Sequence, residues 1–178
     1  MKNATNATTV WTIGHSTRPI AEFLAILEAH AIEAVVDVRR FPGSRRLPQF
    51  NSAALARHLS RRRIDYRWIP TLGGRRRSSD AVPATAWRHP AFRAYAEYAT
   101  SEEFAEGLFE LMMIAGGLRT VIMCAEVLWW RCHRRIIADV LTSLGVDVEH
   151  LRDEKPGERH RLAPPARIVG GTLTYSAP

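Results

Sequence analysis

The chain has little lysine, little cysteine and no long apolar run. Lys2 and Lys155 are the only lysines, although 25 residues of 178 are basic against 18 acidic, a formal charge of +7. The positive charge is therefore carried by arginine. A guanidinium makes planar, paired contacts with phosphate or carboxylate, so an anionic small molecule is the expected partner, with nucleic acid as the alternative. No apolar stretch approaches the roughly 18 residues of a membrane-spanning helix, so no membrane partner is expected. The opening segment MKNATNATTV carries one lysine and no apolar core, which predicts no secretory signal. Two cysteines, Cys124 and Cys132, are too few for a disulfide scaffold and suit a reduced, cytoplasmic protein.

An apolar fraction of 46% over this length supports one globular core. Val10–Gly14 reads as a first strand, rich in β-formers. Pro19 opens a helix with Ile20, Phe23, Leu24 and Leu27 on one face and Ser16 or Thr17 as candidate caps. Glu33–Val38 is a second strand, nearly all apolar, as a parallel strand covered on both faces should be. A loop with Pro42 and Gly43 follows, then a short helix capped by Asn51 or Ser52. Ile64–Ile69 is a third strand, ended by Pro70. Arg75–Trp87 is polar and reads as loose. Pro90–Ala99 and Ser101–Ala115 read as two helices, or one bent one, and precede the stretch that organises the chain, Thr120–Leu144.

That stretch is an apolar strand ending in Cys124-Ala125-Glu126, an aromatic linker through Trp129-Trp130-Arg131, and Cys132-His133-Arg134 leading into a helix. Ile136, Ile137, Val140, Leu141 and Leu144 form its apolar face, and Gly145 stops it. Val146–Leu151 is a fifth strand. Alternating strands and helices define an α/β class: a single domain with a mainly parallel open sheet of about five strands flanked by helices, a Rossmann-like three-layer arrangement. Residues 1–9 read as a disordered lead-in, 10–151 as the α/β domain and 152–178 as an extended tail. One economical order places strands one to three on one side and four and five on the other. A ligand crevice then falls between the ends of strands one and four, bringing His15 and Ser16 beside Cys124 and Glu126.

The candidate chemistry gathers there. Cys132, near a helix start and beside His133 and Arg134, is the better nucleophile; Cys124 is either a second thiol or a core packing group. Glu126 and His15 are candidates for proton transfer, with a salt bridge and a structural, hydrogen-bonded ring as their rival readings. Asp37 is placed to orient Arg39. Ser16, Arg39, Ser44, Arg45, Gly73, Gly74, His133 and Arg134 offer donors or close backbone approach to an anion. Trp129 and Trp130 suit stacking on a base or packing in a homodimer. The residues after Cys124 lack the glycines of a phosphatase loop, and rhodanese-like sulfur transfer fails on the same ground. A zinc site on Cys124, Glu126, Cys132 and His133 is disfavoured, because neighbours at a helix start seldom reach one ion and no CxxC pair is present. No metal and no cofactor is assigned.

Several of these pieces, in order, resemble one family: Thr12-Ile13-Gly14-His15-Ser16, Asp37-Val38-Arg39 with Pro42 and Ser44, Leu72-Gly73-Gly74, Met123-Cys124-Ala125-Glu126 and Cys132-His133-Arg134. Together they are similar to the domain of unknown function numbered 488, over about Val10 to Leu151. The resemblance implies a cytosolic bacterial or archaeal α/β domain and no particular reaction. The family's linker before Cys132 is commonly polar; here it is Val127-Leu128-Trp129-Trp130-Arg131. Three functions are consistent with this sequence: an enzyme or enzyme-like pocket for a phosphorylated or nucleotide-like ligand, an arginine-rich nucleic-acid-binding accessory module, and an interaction domain with a vestigial pocket.

Overall fold

A computed structural model describes residues 8–77 and 85–175. The expected lead-in, up to residue 7, lies outside the described residues, as does part of the polar stretch after Arg77.

Six strands form one sheet: β1 (Thr9–Gly14), β2 (Ala34–Asp37), β3 (Asp65–Trp68), β4 (Thr120–Cys124), β5 (Asp147–Leu151) and β6 (Glu158–Arg159). Their order is β3-β2-β4-β1-β5-β6, parallel except for the last pair. Among the described residues, five helices flank the sheet: α1 (Ile20–Ala29), α2 (Ser52–Ser60), α3 (Pro90–Tyr98), α4 (Glu102–Ala115) and α5 (Arg134–Ser143). A short hairpin of β7 (Arg167–Val169) and β8 (Thr172–Thr174) follows. The α/β three-layer class is as the alternation of elements predicts.

Strand order is corrected. β4 lies between β2 and β1, rather than outside both. Sequence periodicity identifies a strand but carries no information about its neighbours. The adjacency of β1 and β4 nevertheless holds, with Gly14 opposite Cys124.

Side chains leave β4 alternately. Val121 and Met123 pack with Phe23, Leu27, Leu55 and Leu59 of α1 and α2. Ile122 packs with Tyr95, Phe104, Leu111 and Ile137 of α3, α4 and α5. The connections β1–α1–β2 and β2–α2–β3 thus step outward under one face. Those through α3, α4 and α5 step back under the other. Reversal of direction goes with a change of face, as right-handed crossovers require. At the β4 end, the following chain turns to one face while those leaving β1 and β2 turn to the other. This splits open a crevice at the carboxyl edge.

Two local expectations are also corrected. Leu144 is 62% exposed, because α5 ends at Ser143 before its turn can bring Leu144 inward. Pro19, with no side-chain cap, occupies the start of α1 instead of Ser16 or Thr17. Beyond Leu151, β6 extends the sheet, and His160, Ala163 and Ala166 are buried. Among the described residues, no helix is long and apolar enough to cross a membrane.

Candidate functional site

A cavity of about 760 Å³ occupies the crevice. Cys124, Cys132 and His133 line it from the β4 and α5 side, and Ser16, Gly43, Gly74 and Tyr95 from around them. Arg40, Arg75 and Arg131 border it and are exposed. Glu126 lines it too, with one carboxylate oxygen accepting from the Leu128 amide at 3.1 Å.

The backbone makes this possible at two glycines. A β-carbon on Gly14 would lie 2.0 Å from the Glu126 carbonyl oxygen. Only glycine lets the chain after β4 fold across the end of β1. There the His15 and Ser16 amides donate to the Cys124 and Ala125 carbonyls at 3.0 and 2.8 Å. A β-carbon on Gly74 would meet His133 Nδ1 at 2.8 Å, so this loop too can approach closely. Ser16 and Arg75 hold left-handed backbone, at φ 43° and 58°, and both border the cavity. Such conformations in non-glycine residues persist only where the surroundings impose them.

Cys132 is buried at the cavity floor. Burial opposes its thiolate, but a hydrogen bond from Cys124 and the neighbouring His133 ring and Arg134 charge outweigh that, and its pKa falls well below the ordinary thiol value. Cys124 moves the other way, raised by its interaction with Cys132 and by burial. Arg134 Nε donates to Cys132 Sγ at 3.4 Å. His133 Nδ1 lies 3.6 Å from the same sulfur, and its Nε2 donates to the Val38 carbonyl at 3.0 Å.

Other expected residues sit elsewhere or are already engaged. His15 is 2% exposed, stacked on Phe50 at 4.2 Å, and does not line the cavity. Its Nδ1 donates to the Ser16 carbonyl, which leaves Nε2 to accept from Arg39 at 3.1 Å. Burial, aided by Arg39 and Arg134, holds its pKa down at about 4, so the ring is neutral at pH 7. Arg39 reaches the cavity wall, yet its guanidinium is bonded to both Asp37 oxygens, His15 and the Phe50 carbonyl. Arg134 is 1% exposed and donates to Thr12 and to the Glu126 carbonyl as well as to Cys132. These two arginines frame the floor; the exposed arginines at the rim are Arg40, Arg75 and Arg131. Ser44, Arg45 and Gly73 fall outside the lining. Ser44 staples its own loop, its amide donating to Asn51 and its hydroxyl accepting from Leu47. Trp130 lines the cavity. Trp129 does not, because it stacks on His150 at 4.0 Å.

Beside the floor runs a second polar array that local sequence patterns do not reveal. Arg134 donates to Thr12 Oγ1 at 3.4 Å, and the Thr12 hydroxyl donates to His150 Nδ1 at 2.8 Å. His150 Nε2 then donates to His160 Nδ1 at 2.9 Å, and His160 Nε2 to Asp139 at 2.9 Å. Tyr175 and the Ala163 amide also donate to Asp139. The only local signals are Asp139 on an apolar helix face and His150 in register with inward Val148.

The fold and site define a class: a three-layer α/β domain with a thiol-floored crevice where its sheet connections change face. The family follows directly. The model of the family described as domain of unknown function DUF488 matches residues 19–141, and the chain belongs to that family. No curated protein and no solved structure matches the chain.

Proposed function

We propose that this domain is an enzyme-like pocket that takes a phosphorylated or nucleotide-like small anion at the carboxyl edge of its sheet. The observation that carries this reading is the composition of the cavity: three exposed arginines, Arg40, Arg75 and Arg131, stand around a floor of Cys124, Cys132 and His133, with Glu126 the lone carboxylate among the described lining residues. Arginine forks at a rim suit phosphate oxygens. Aromatic walls from Phe41, Phe92 and Trp130 suit the flat body of a base or the apolar face of a sugar. Glu126 is the proton-transfer group in reach of such a ligand, and Cys132 supplies the reactive floor. His15 serves as a fixed, neutral support behind it.

The nucleic-acid alternative needs a continuous basic track. Arg61, Arg62 and Arg63 lie between α2 and β3, at the sheet's amino edge, whereas Arg75 follows β3 at the opposite edge. Arg62 is moreover paired with Glu28. The two arginine runs therefore favour separate solvated surfaces over one track.

A thermal-shift screen of phosphate, nucleotides, sugar phosphates and short oligonucleotides at two salt concentrations tests the proposal. An anion at about 100 times its dissociation constant adds roughly 2.7 kcal/mol of stability. Stabilisation by a small phosphorylated compound, lost in the Arg40→Ala/Arg131→Ala double variant, is the expected result. Stabilisation by oligonucleotides alone, vanishing with salt, moves the function to the arginine runs.

A further inference from the structure

We propose that the cavity floor is a zinc site, with Cys124 Sγ, Cys132 Sγ and His133 Nδ1 as its three protein ligands and the fourth position open to the cavity. The site rests on the anion-pocket reading for its use, though its geometry stands alone.

The three ligand atoms lie within 4.8 Å of one another. Zinc bonds of about 2.3 Å to sulfur and 2.0–2.1 Å to nitrogen give tetrahedral edges of about 3.6 Å (S to N) and 3.8 Å (S to S). The His133 Nδ1 to Cys132 Sγ separation is 3.6 Å, which already matches one edge. Closing the other edges requires movements of about 1 Å or less, within reach of side-chain rotation.

Adjacent residues seldom share an ion when both are helical, since their side chains then diverge. Here they are not both helical. Cys132 is extended, at φ −119° and ψ 151°, and the helical turn begins only at His133, at φ −58° and ψ −19°. That single change of backbone swings the two side chains toward each other and overturns the objection raised on sequence spacing.

The surroundings are those that a ligating histidine uses. His133 Nε2 donates to the Val38 carbonyl, which fixes the tautomer and leaves the Nδ1 lone pair directed at the sulfurs. Tyr95, ring to ring at 5.1 Å, holds the imidazole plane. Gly74 keeps the approach to Nδ1 clear, where a β-carbon would come within 2.8 Å of it. Arg134 Nε, which donates to Cys132 Sγ at 3.4 Å, would support a metal-bound thiolate from behind.

Two thiolates and one imidazole favour zinc among the common divalent ions, and three protein ligands with an open position are the pattern of a catalytic centre. Loading takes both sulfurs as thiolates and releases the thiol protons to solvent. The two thiolates cancel the ion's charge, and Arg134 leaves the floor net positive. A phosphorylated ligand or a water molecule in the fourth position would then be polarised by the metal.

The test uses the full chain, reduced and stripped with a chelator, and titrated anaerobically with cobalt(II). One equivalent should give the strong visible absorption of a tetrahedral ion together with sulfur-to-cobalt charge transfer, and one equivalent of zinc should abolish both. Cys124→Ser and Cys132→Ser should each weaken zinc binding by at least about a hundredfold, with circular dichroism confirming that they fold. A pale, six-coordinate cobalt spectrum in the unmodified chain overturns the site, with no variant needed. So does a full charge-transfer band in Cys132→Ser. The same protein separates the two proposals. If phosphorylated compounds stabilise stripped and zinc-loaded protein equally, the metal's part in the pocket is refuted while the pocket stands. If the cobalt spectrum appears and no anion shifts either form, the pocket reading fails while the metal site stands.

Discussion

Arg134 stands between two clusters of titratable side chains that differ in how far their hydrogen bonding is completed. On one side lie Thr12, His150, His160, Asp139 and Tyr175. Each donor in this array meets an acceptor, from the Arg134 guanidinium to the Asp139 carboxylate. His150, His160 and Asp139 are all buried. On the other side lie Cys124, Cys132 and His133, lining a cavity, with a ring nitrogen and two sulfurs converging. Histidines and acids in a protein interior do not by themselves signal chemistry. A closed array is a structural joint between β1, α5, β5 and the chain beyond it. An array left open toward a cavity is where chemistry is to be sought.

The largest effect should come from breaking the closed side. Asp139→Ala strands the His160 N–H, the Ala163 amide and the Tyr175 hydroxyl in the interior, and should cost on the order of 4 kcal/mol in urea unfolding. A loss no greater than that from Cys132→Ser would erase the distinction between the clusters. Arg134→Met comes next, at about 3 kcal/mol, because it leaves the Glu126 carbonyl and Thr12 without their donor. It should also disfavour the Cys132 thiolate, read as slower alkylation of Cys132 by iodoacetamide at neutral pH.

A pH effect of intermediate size follows from the neutral rings. His15 is held at about 4 and His150 at about 2, both through burial, with Arg39 and Arg134 adding to the first and His160 and Arg134 to the second. Above the unfolded value near 6.5 their contribution is complete. As pH falls below it, the unfolded chain takes up protons that the native rings refuse. Stability should therefore drop between pH 6.5 and 5, each ring contributing up to about 1.4 kcal/mol per pH unit. A flat urea midpoint across that window would show that these rings are not held neutral. The smallest stability effects belong to the open side. Cys132→Ser should cost about 1 kcal/mol or less in the reduced, metal-free protein, and Arg131→Ala under 0.5 kcal/mol. Both should nonetheless alter ligand binding in the thermal-shift screen.

Much of this fold was legible because its elements are locally consistent. The apolar run at Val121-Ile122-Met123 and the spacing of Phe23, Leu24 and Leu27 report strand and helix directly. The meeting of β1 and β4 at their carboxyl ends also emerged, since the handedness of crossovers limits the choices. What stayed hidden depends on contacts distant in sequence. The place of β4 inside the sheet is one such case. Another is the engagement of Arg39 and Arg134, whose residue types suggest anion binding until their buried partners are known. The array ending at Asp139 joins residues up to 138 positions apart, Thr12 to His150. The approach of His133 Nδ1 to Cys132 Sγ was hidden for a local reason: one extended residue before a helix.

The position of β4 bears on how the protein is made. Val10 pairs with Thr120, and so does Ala34. During synthesis β1 and β2 therefore emerge early, with a gap between them that no nearby segment fills. Well over half of the chain must leave the ribosome before the central strand arrives, and closing so long a loop is slow. Until then, two apolar strand edges stand unpaired and open to association with other nascent chains. A chain cut before Thr120 would thus be no smaller version of this domain, but one missing the middle of its sheet.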